Sequence, residues 1–316
     1  MDARAQEVHR RGLEALTRHL GCVINKALAD SEVIEVMLNP DGQLWVDRLG
    51  KGMVQVGEMD DVQAIGIITT VAGMLEVEVT PNNPILECEL PIDGSRFEAL
   101  IPPIVLKSVF TIRKKASLVF TLENYVQQGI MTVAQQQAIE EAVVMRKNIL
   151  VCGGTGTGKT TLANAILEAI ARLTSDHRIV IIEDTRELQV KAENVVFLRT
   201  SDLVNMTKLL RATMRLRPDR IIVGEVRDAS ALALLKAWNT GHPGGVGTVH
   251  ANNSAAALVR IGQLIQEAGV PPAPDLIAEA VNVVVSIVRK GQGRTIEEII
   301  RVKGYSNQGF DVERIA

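Results

Sequence analysis

The stretch CGGTGTGKTT, residues 152–161, holds four glycines, four threonines and one lysine in ten positions. Gly153, Gly158, Lys159 and Thr160 satisfy the pattern G-x-x-x-x-G-K-[ST]. Just before it lies NILVC, a short apolar run that reads as a strand. Just after it lies KTTLANAILEAIARL, which reads as a helix. A strand, a glycine loop and a helix in that order form a phosphate cradle. Glycines let backbone N–H groups turn inward around an anion. The helix N-terminus adds the positive end of its dipole. Lys159 is placed to reach the β- and γ-phosphates, and the Thr160 hydroxyl to ligate Mg²⁺. Gly153, Gly154, Thr155, Gly156, Thr157, Gly158, Lys159, Thr160 and Thr161 are therefore the nucleotide-binding candidates. The spacing excludes the dinucleotide fingerprint G-x-G-x-x-G. A guanine reader is disfavoured too, because NKAL at 25–28 and TKLL at 207–210 lack the final aspartate of N-K-x-D or T-K-x-D.

Outward from the loop, strands and helices alternate. RIVIIE, RIIVGE and VGTVHA read as near-continuous apolar strands, each followed by a helical pattern. That arrangement predicts a parallel sheet covered on both faces, an α/β domain over 133–316. Upstream, VIEVML and LWVDR flank the turn NPDG, GMVQVG follows, and DDVQAIGIITTVAGML reads as a helix capped by Asp60 or Asp61. With FEALIP and VFTIRKK these predict a smaller α+β domain over 1–115. Residues 116–132 read as a connector with one short helix stopped by Gly129. Thr132 and Gln135 form a capping box for a helix from Val133 to about Met145.

The 316 residues suffice for two domains. A net charge of −3 and 3% aromatic content do not call for nucleic acid as a partner, and sequence-specific binding to it is not expected. Three cysteines without a CxxC pair argue against disulfides and a zinc site. Cys22 and Cys88 read as small buried residues, Cys152 as strand packing. No apolar run reaches the roughly 18 residues that span a bilayer, and the N-terminus lacks a signal-peptide core. The chain is expected to be cytoplasmic. Its first 20 residues read as an amphipathic helix, four arginines against Asp2, Glu7 and Glu14, and so as a packed helix rather than a membrane anchor.

Two strands end in carboxylates. RIVIIEDTREL places Glu183 and Asp184 at a strand's C-terminal end, where ligands gather in open α/β sheets, and RIIVGEVRD does the same with Glu225. Activating water and holding Mg²⁺ both need carboxylates there. The second site reads Gly224-Glu225 where other phosphate-loop proteins carry Asp-Glu. NTGHPGGVGTVHANN is a glycine-rich loop flanked by His242 and His250, and His250 closes a strand. Arg211 and Arg215 lie four apart on a predicted helix, on one face, where a ring neighbour's γ-phosphate charge would be met in trans.

Together these segments resemble the secretion traffic ATPases of type II and type IV systems, which include the pilus extension and retraction motors. GGTGTGKTT resembles the family's Walker A, RIVIIEDTREL its Asp box, RLRPDRIIVGEVRD its Walker B with the same Gly-Glu ending, and AWNTGHPGGVGTVHANN its His box. NPDGQLWVDR and DGSRFEALIPP…TIRKK resemble its N-terminal domain. The match is closest to the TrbB-like conjugal-transfer branch, beside the type IV secretion ring ATPases. The resemblance implies a homo-hexamer, each subunit with a PAS-like N-domain and a RecA-like C-domain, and ATP and Mg²⁺ as cofactors. It implies Arg96 and Arg113 as N-domain contacts to the nucleotide, Glu183 as general base, Glu225 as a Mg²⁺ ligand through water, and His250 as a γ-phosphate sensor. Glu183 and Glu225 could exchange those roles. It further implies partners in the secretion or conjugation machinery at the cytoplasmic face of the inner membrane, where the chain could sit peripherally. The rival readings are a pilus-retraction motor, a RecA-like motor acting directly on DNA, and an ATP-bound scaffold without turnover.

Overall fold

The computed structural model describes residues 3–49, 51–115, 119–201, 203–291 and 293–316. The chain divides into two compact units, Met1–Ser117 and Leu118–Ala316.

The first unit contains α1 (Ala3–Ala29), β1 (Val33–Leu38), β2 (Gln43–Arg48), β3 (Gly52–Glu58), α2 (Asp61–Met74), β4 (Ile85–Glu89), β5 (Arg96–Leu100) and β6 (Val109–Arg113). Its sheet is antiparallel in the order β3-β2-β1-β6-β5-β4. Asp60, rather than Asp61, caps α2, and Gln63 completes a capping box. Leu16, Leu20 and Ile24 of α1 and Ile67, Ile68 and Val71 of α2 bury their side chains against Val36, Val46, Phe97 and Ile112. The helix α1 kinks at Gly21, whose φ of 69° suits glycine. Arg10 pairs with Glu7 and Glu14, and Arg11 with Glu7, so the basic face is largely neutralised within the helix. Asp2 lies outside the described residues. The expectation of a buried Cys22 is corrected: it is exposed, on the outer face of α1. Strand β4 has no counterpart in the sequence reading, because ILECE alternates charged Glu87 and Glu89 on an edge strand.

The second unit begins with α3 (Leu122–Gln127) and α4 (Val133–Val144), the latter capped by Thr132 and Gln135. The segment 116–132 carries the expected short helix, and three of its residues, Leu122, Tyr125 and Met131, are buried against Ile139 and Ile166. Residues 116–118 lie outside the described residues. There follow β7 (Ile149–Gly153), α5 (Lys159–Leu173), β8 (Ile179–Glu183), β9 (Val195–Arg199), α6 (Met206–Thr213), β10 (Arg220–Val223), α7 (Ser230–Asn239), β11 (Val246–His250), α8 (Ser254–Gln266), α9 (Pro274–Ala280), β12 (Val283–Lys290), β13 (Gly293–Ser306) and β14 (Gly309–Arg314). The sheet order is β14-β13-β12-β7-β11-β10-β8-β9. Strands β12 through β9 are parallel, and β13 and β14 extend the sheet antiparallel. Every residue of β7, β8 and β10 is buried, which is why these strands read as unbroken apolar runs.

This topology carries the C-terminal ends of β7, β8, β10 and β11 to one sheet edge, and that edge positions the site.

Candidate functional site

The loop after β7 is a backbone-only cradle. A Cβ at Gly153 would run into the Ile287 carbonyl and lie 2.6 Å from Thr157 Oγ1. Gly156 and Gly158 hold φ of 68° and 96°, which a side chain would resist. Gly158 is the N-cap of α5 and provides no side-chain cap. Helices α2, α3, α4, α6 and α8 are all capped by a side-chain oxygen. The first intrahelical bond of α5 is Leu162 N to Gly158 O at 2.9 Å. Helical bonding therefore starts at Leu162, which leaves the Thr160 and Thr161 amides in the first turn of α5, as an anion site requires. Lys159 is buried, and its Nζ donates to Gly154 O at 3.0 Å and to His250 Nδ1 at 3.2 Å. An ammonium folded back onto a loop carbonyl fits a cradle built for phosphate.

His250 ends β11 in register with Gly153. Its Nε2 lies 2.9 Å from Glu225 Oε1. Burial, then the charge of Lys159, lowers its pKa from the usual imidazole value. Lysine has no acceptor, so Nδ1 accepts and the neutral ring donates Nε2–H to the carboxylate. A line Lys159–His250–Glu225 thus joins the ends of β7, β11 and β10.

Glu183 ends β8 and is 4% exposed. Burial pushes its pKa up to about 7, against the backbone amides of Glu187 and Leu188, which donate to Oε1 at 3.0 and 2.8 Å. The segment after it is pinned by Asn164, a buried polar residue of α5 that accepts from Gln189 N at 2.7 Å and donates to Glu187 O at 3.2 Å. The sequence reading missed Asn164. Its signal was a lone amide on an otherwise apolar helix face.

Gly224 has its own reason. A Cβ there would lie 2.9 Å from Glu183 Cγ and 3.2 Å from its Oε1. An aspartate would bring both a clash and a second negative charge, which is why this strand ends Gly-Glu. Gly224→Ala is expected to shift Glu183 and cut turnover by about 10- to 100-fold with nucleotide affinity largely kept. Steady-state kinetics beside an ADP titration check this, and unchanged turnover would contradict it.

Asp184 accepts from Thr200 Oγ1 at 2.7 Å and pairs with Arg227. Arg227 was also missed, although GEVRD and EDTRE spell the pair. Two glycines of the segment 241–247 serve the opposite edge. Gly244 makes room for buried Arg220, which donates to Gly244 O and Val143 O at 2.8 Å each, and Gly245 makes room for Trp238. His242 precedes β11, so it stands at the edge away from the phosphate loop.

Arg211 and Arg215 are not brought to this chain's loop. They are exposed near the N-terminal end of β10. The helix α6 that carries Arg211 ends at Thr213, capped at its start by Asn205, so Arg215 falls beyond it and the expected shared face is corrected. Arg217 takes φ 51° just before Pro218, which stops the helix. In the first unit, Arg96 and Arg113 are cross-strand neighbours on β5 and β6, and Arg113 Nε pairs with Glu35 at 2.8 Å. Among the described residues no group of three or more His, Cys, Asp or Glu gathers to hold a metal. The donors present, the Thr160 hydroxyl and Glu225, suit a Mg²⁺ held mainly by nucleotide phosphates.

The family model "Type II/IV secretion system protein" matches residues 22–309. The chain belongs to that family. It is 51% identical over 305 residues to the "Probable conjugal transfer protein TrbB" of Sinorhizobium fredii, covering 96% of this chain and 94% of the relative. It is 32% identical over 286 residues to the "Type IV secretion system protein VirB11" of Bartonella henselae, covering 77% of this chain and 79% of the relative. The structure titled "Pilus Retraction Motor PilT and Bound ADP" shares the fold, with a TM-score of 0.62 at 18% identity over 92% of this chain and 80% of that one. This family member is an ATPase, a RecA-like phosphate-loop domain preceded by a smaller α+β domain. Among the described residues no helix is long and apolar enough to cross a membrane.

Proposed function

We propose that this secretion-family ATPase is a Mg²⁺-dependent, homo-hexameric motor that powers conjugative DNA transfer or pilus assembly by a type IV secretion machinery. It works at the cytoplasmic face of the inner membrane, with other proteins of that machinery as partners. The observation that carries the hydrolytic reading is one sheet edge that combines a bare phosphate loop, the Lys159–His250–Glu225 line and a buried Glu183 whose pKa is raised to about 7. The 51% identity to a conjugal transfer protein supports the biological setting.

Residues 153–161 hold the phosphates, with Lys159 turning from Gly154 O and His250 to the β- and γ-oxygens. Thr160 and, through water, Glu225 would hold a Mg²⁺ on the phosphates, where it would supply neutralisation of phosphate charge. Glu183 takes the proton of the attacking water, and its raised pKa suits that task near neutral pH. His250, freed by Lys159, reports the γ-phosphate to Glu225. Arg211 and Arg215 act on a neighbouring subunit, which agrees with their exposure away from this chain's loop. Phosphate release with Mg²⁺ and with excess EDTA tests the reading. Turnover in Mg²⁺ alone is expected, and equal release in both would sink it.

Arg96 and Arg113 are assigned to the nucleotide on the family resemblance. Arg113→Ala is expected to raise the KM for ATP about 10-fold, the worth of one charge-assisted hydrogen bond, with the melting temperature kept. A lowered melting temperature with unchanged kinetics refutes that role and leaves Arg113 as the partner of Glu35.

A further inference from the structure

Two more arginines lean on the phosphate loop. Arg289 on β12 and Arg294 on β13 face each other across the hairpin as a cross-strand pair. Arg289 donates from both Nε and Nη2 to Gly156 O, each at 3.3 Å. A Cβ at Gly156 would lie 2.6 Å from Arg289 Nη2. The Arg294 guanidinium rests against Gly158, the cap of α5, close enough that a Cβ there would run into Nη1. Neither arginine has a carboxylate partner among the described residues. Each guanidinium carries five donors. One carbonyl at 3.3 Å uses few of them. Two guanidiniums and the Lys159 ammonium around one glycine loop leave a cationic surplus that an anion would relieve.

The strand order says which part of the anion. The hydrolytic groups stand at the ends of β11, β10 and β8, all on one flank of β7. The arginine hairpin stands on the other flank, since β12 is the second neighbour of β7. A nucleotide whose γ-phosphate meets Glu183 and Glu225 runs back across the loop toward β12. We propose that Arg289 and Arg294 bind the α-phosphate of the nucleotide and anchor its nucleoside half. This assignment rests on the ATPase reading above and adds the side of the loop that the motifs leave undescribed. Guanidinium is suited to it, because its planar fork matches phosphate oxygens two at a time. Since ADP and ATP share the α-phosphate, the pair sets affinity for both alike. Glu183, Glu225 and His250 act only on the γ end.

The test titrates ADP and a non-hydrolysable ATP analogue, with Mg²⁺, into the full chain and into Arg289→Gln, Arg294→Gln and Arg294→Lys. Both nucleotides are expected to weaken by the same factor in each Gln variant, roughly 10-fold or more, and Arg294→Lys to recover part of the loss. The KM for ATP should rise by that factor while kcat falls by less. Unchanged affinities in both Gln variants would overturn the assignment. So would a loss confined to the ATP analogue, which would place the pair at the γ end. A fall in kcat with KM unchanged would show a mere buttress of the loop. Lys159→Ala serves as the reference without a working loop. If the unmodified chain binds no more tightly than that variant, the ATPase reading itself fails. If it binds and the Gln variants match it, only the present assignment fails.

Discussion

Lys159→Ala is expected to lower ATP turnover by about 100- to 1,000-fold, the size seen when one preorganised charge or donor is removed from a transition state. The buried Nζ is held 3.0 Å from Gly154 O and 3.2 Å from His250 Nδ1, so it is already inside the loop before any phosphate arrives. Alanine removes the charge and also leaves His250 Nδ1 without its donor. With the Lys159 charge gone, one of the two main causes that depress the His250 pKa disappears, while the attraction of Glu225 persists. The imidazole pKa should therefore rise toward its ordinary value, which an NMR titration of the ring would read. Normal turnover in Lys159→Ala would remove the phosphate loop from the mechanism.

Glu183→Gln is expected to bind ATP and to lose turnover by roughly 100-fold or more, the usual contribution of a general base. The amide keeps an oxygen for the Glu187 and Leu188 amides, so the segment that folds over it should stay in place. The pH dependence follows from the pKa of about 7. A base works deprotonated, so kcat/KM of the free enzyme should fall as pH drops below about 7. Stability runs the other way. The folded state holds the proton more tightly than an exposed glutamate with a pKa of 4.5. The stabilisation of the neutral form is complete below that value and is lost as pH rises through 7. Glutamine remains neutral throughout, so Glu183→Gln should be more stable than the parent at pH 8, by about 1–3 kcal/mol, and nearly equal at pH 4. Melting curves across that range check the sign. A variant less stable at pH 8 would contradict it. If turnover survives the substitution, Glu225 becomes the base, and Glu225→Gln is the variant to read.

Much of this was legible in the sequence because it follows from backbone and pattern. The glycines of 153–158 specify a loop that only an anion explains, and the all-apolar strands specify a covered parallel sheet. The cap residues Thr132 and Gln135 fixed a helix start to the residue. Less legible was anything decided by a partner far along the chain. Gly224 is glycine because of Glu183, forty-one positions earlier. Gly244 and Gly245 look like part of a catalytic loop, yet they make room for Arg220 and Trp238 at the other edge. Arg289 and Arg294 reach the loop only because β12 pairs with β7, which no local spacing announces. Arg215 does not share a face with Arg211 because α6 ends at Thr213, where the chain turns toward Pro218. Cys22 was misjudged because residue type outweighed its place on the outer face of α1.

The central claim is that the chain hydrolyses ATP as a ring, with arginines of one subunit completing the site of the next. The direct measurement is ATP hydrolysis per subunit across protein concentration, with particle mass by light scattering on the same samples. Specific activity is expected to rise as a species of six times 34.3 kDa appears. Specific activity that stays flat while the protein remains monomeric, or no hydrolysis from the assembled ring, would contradict it.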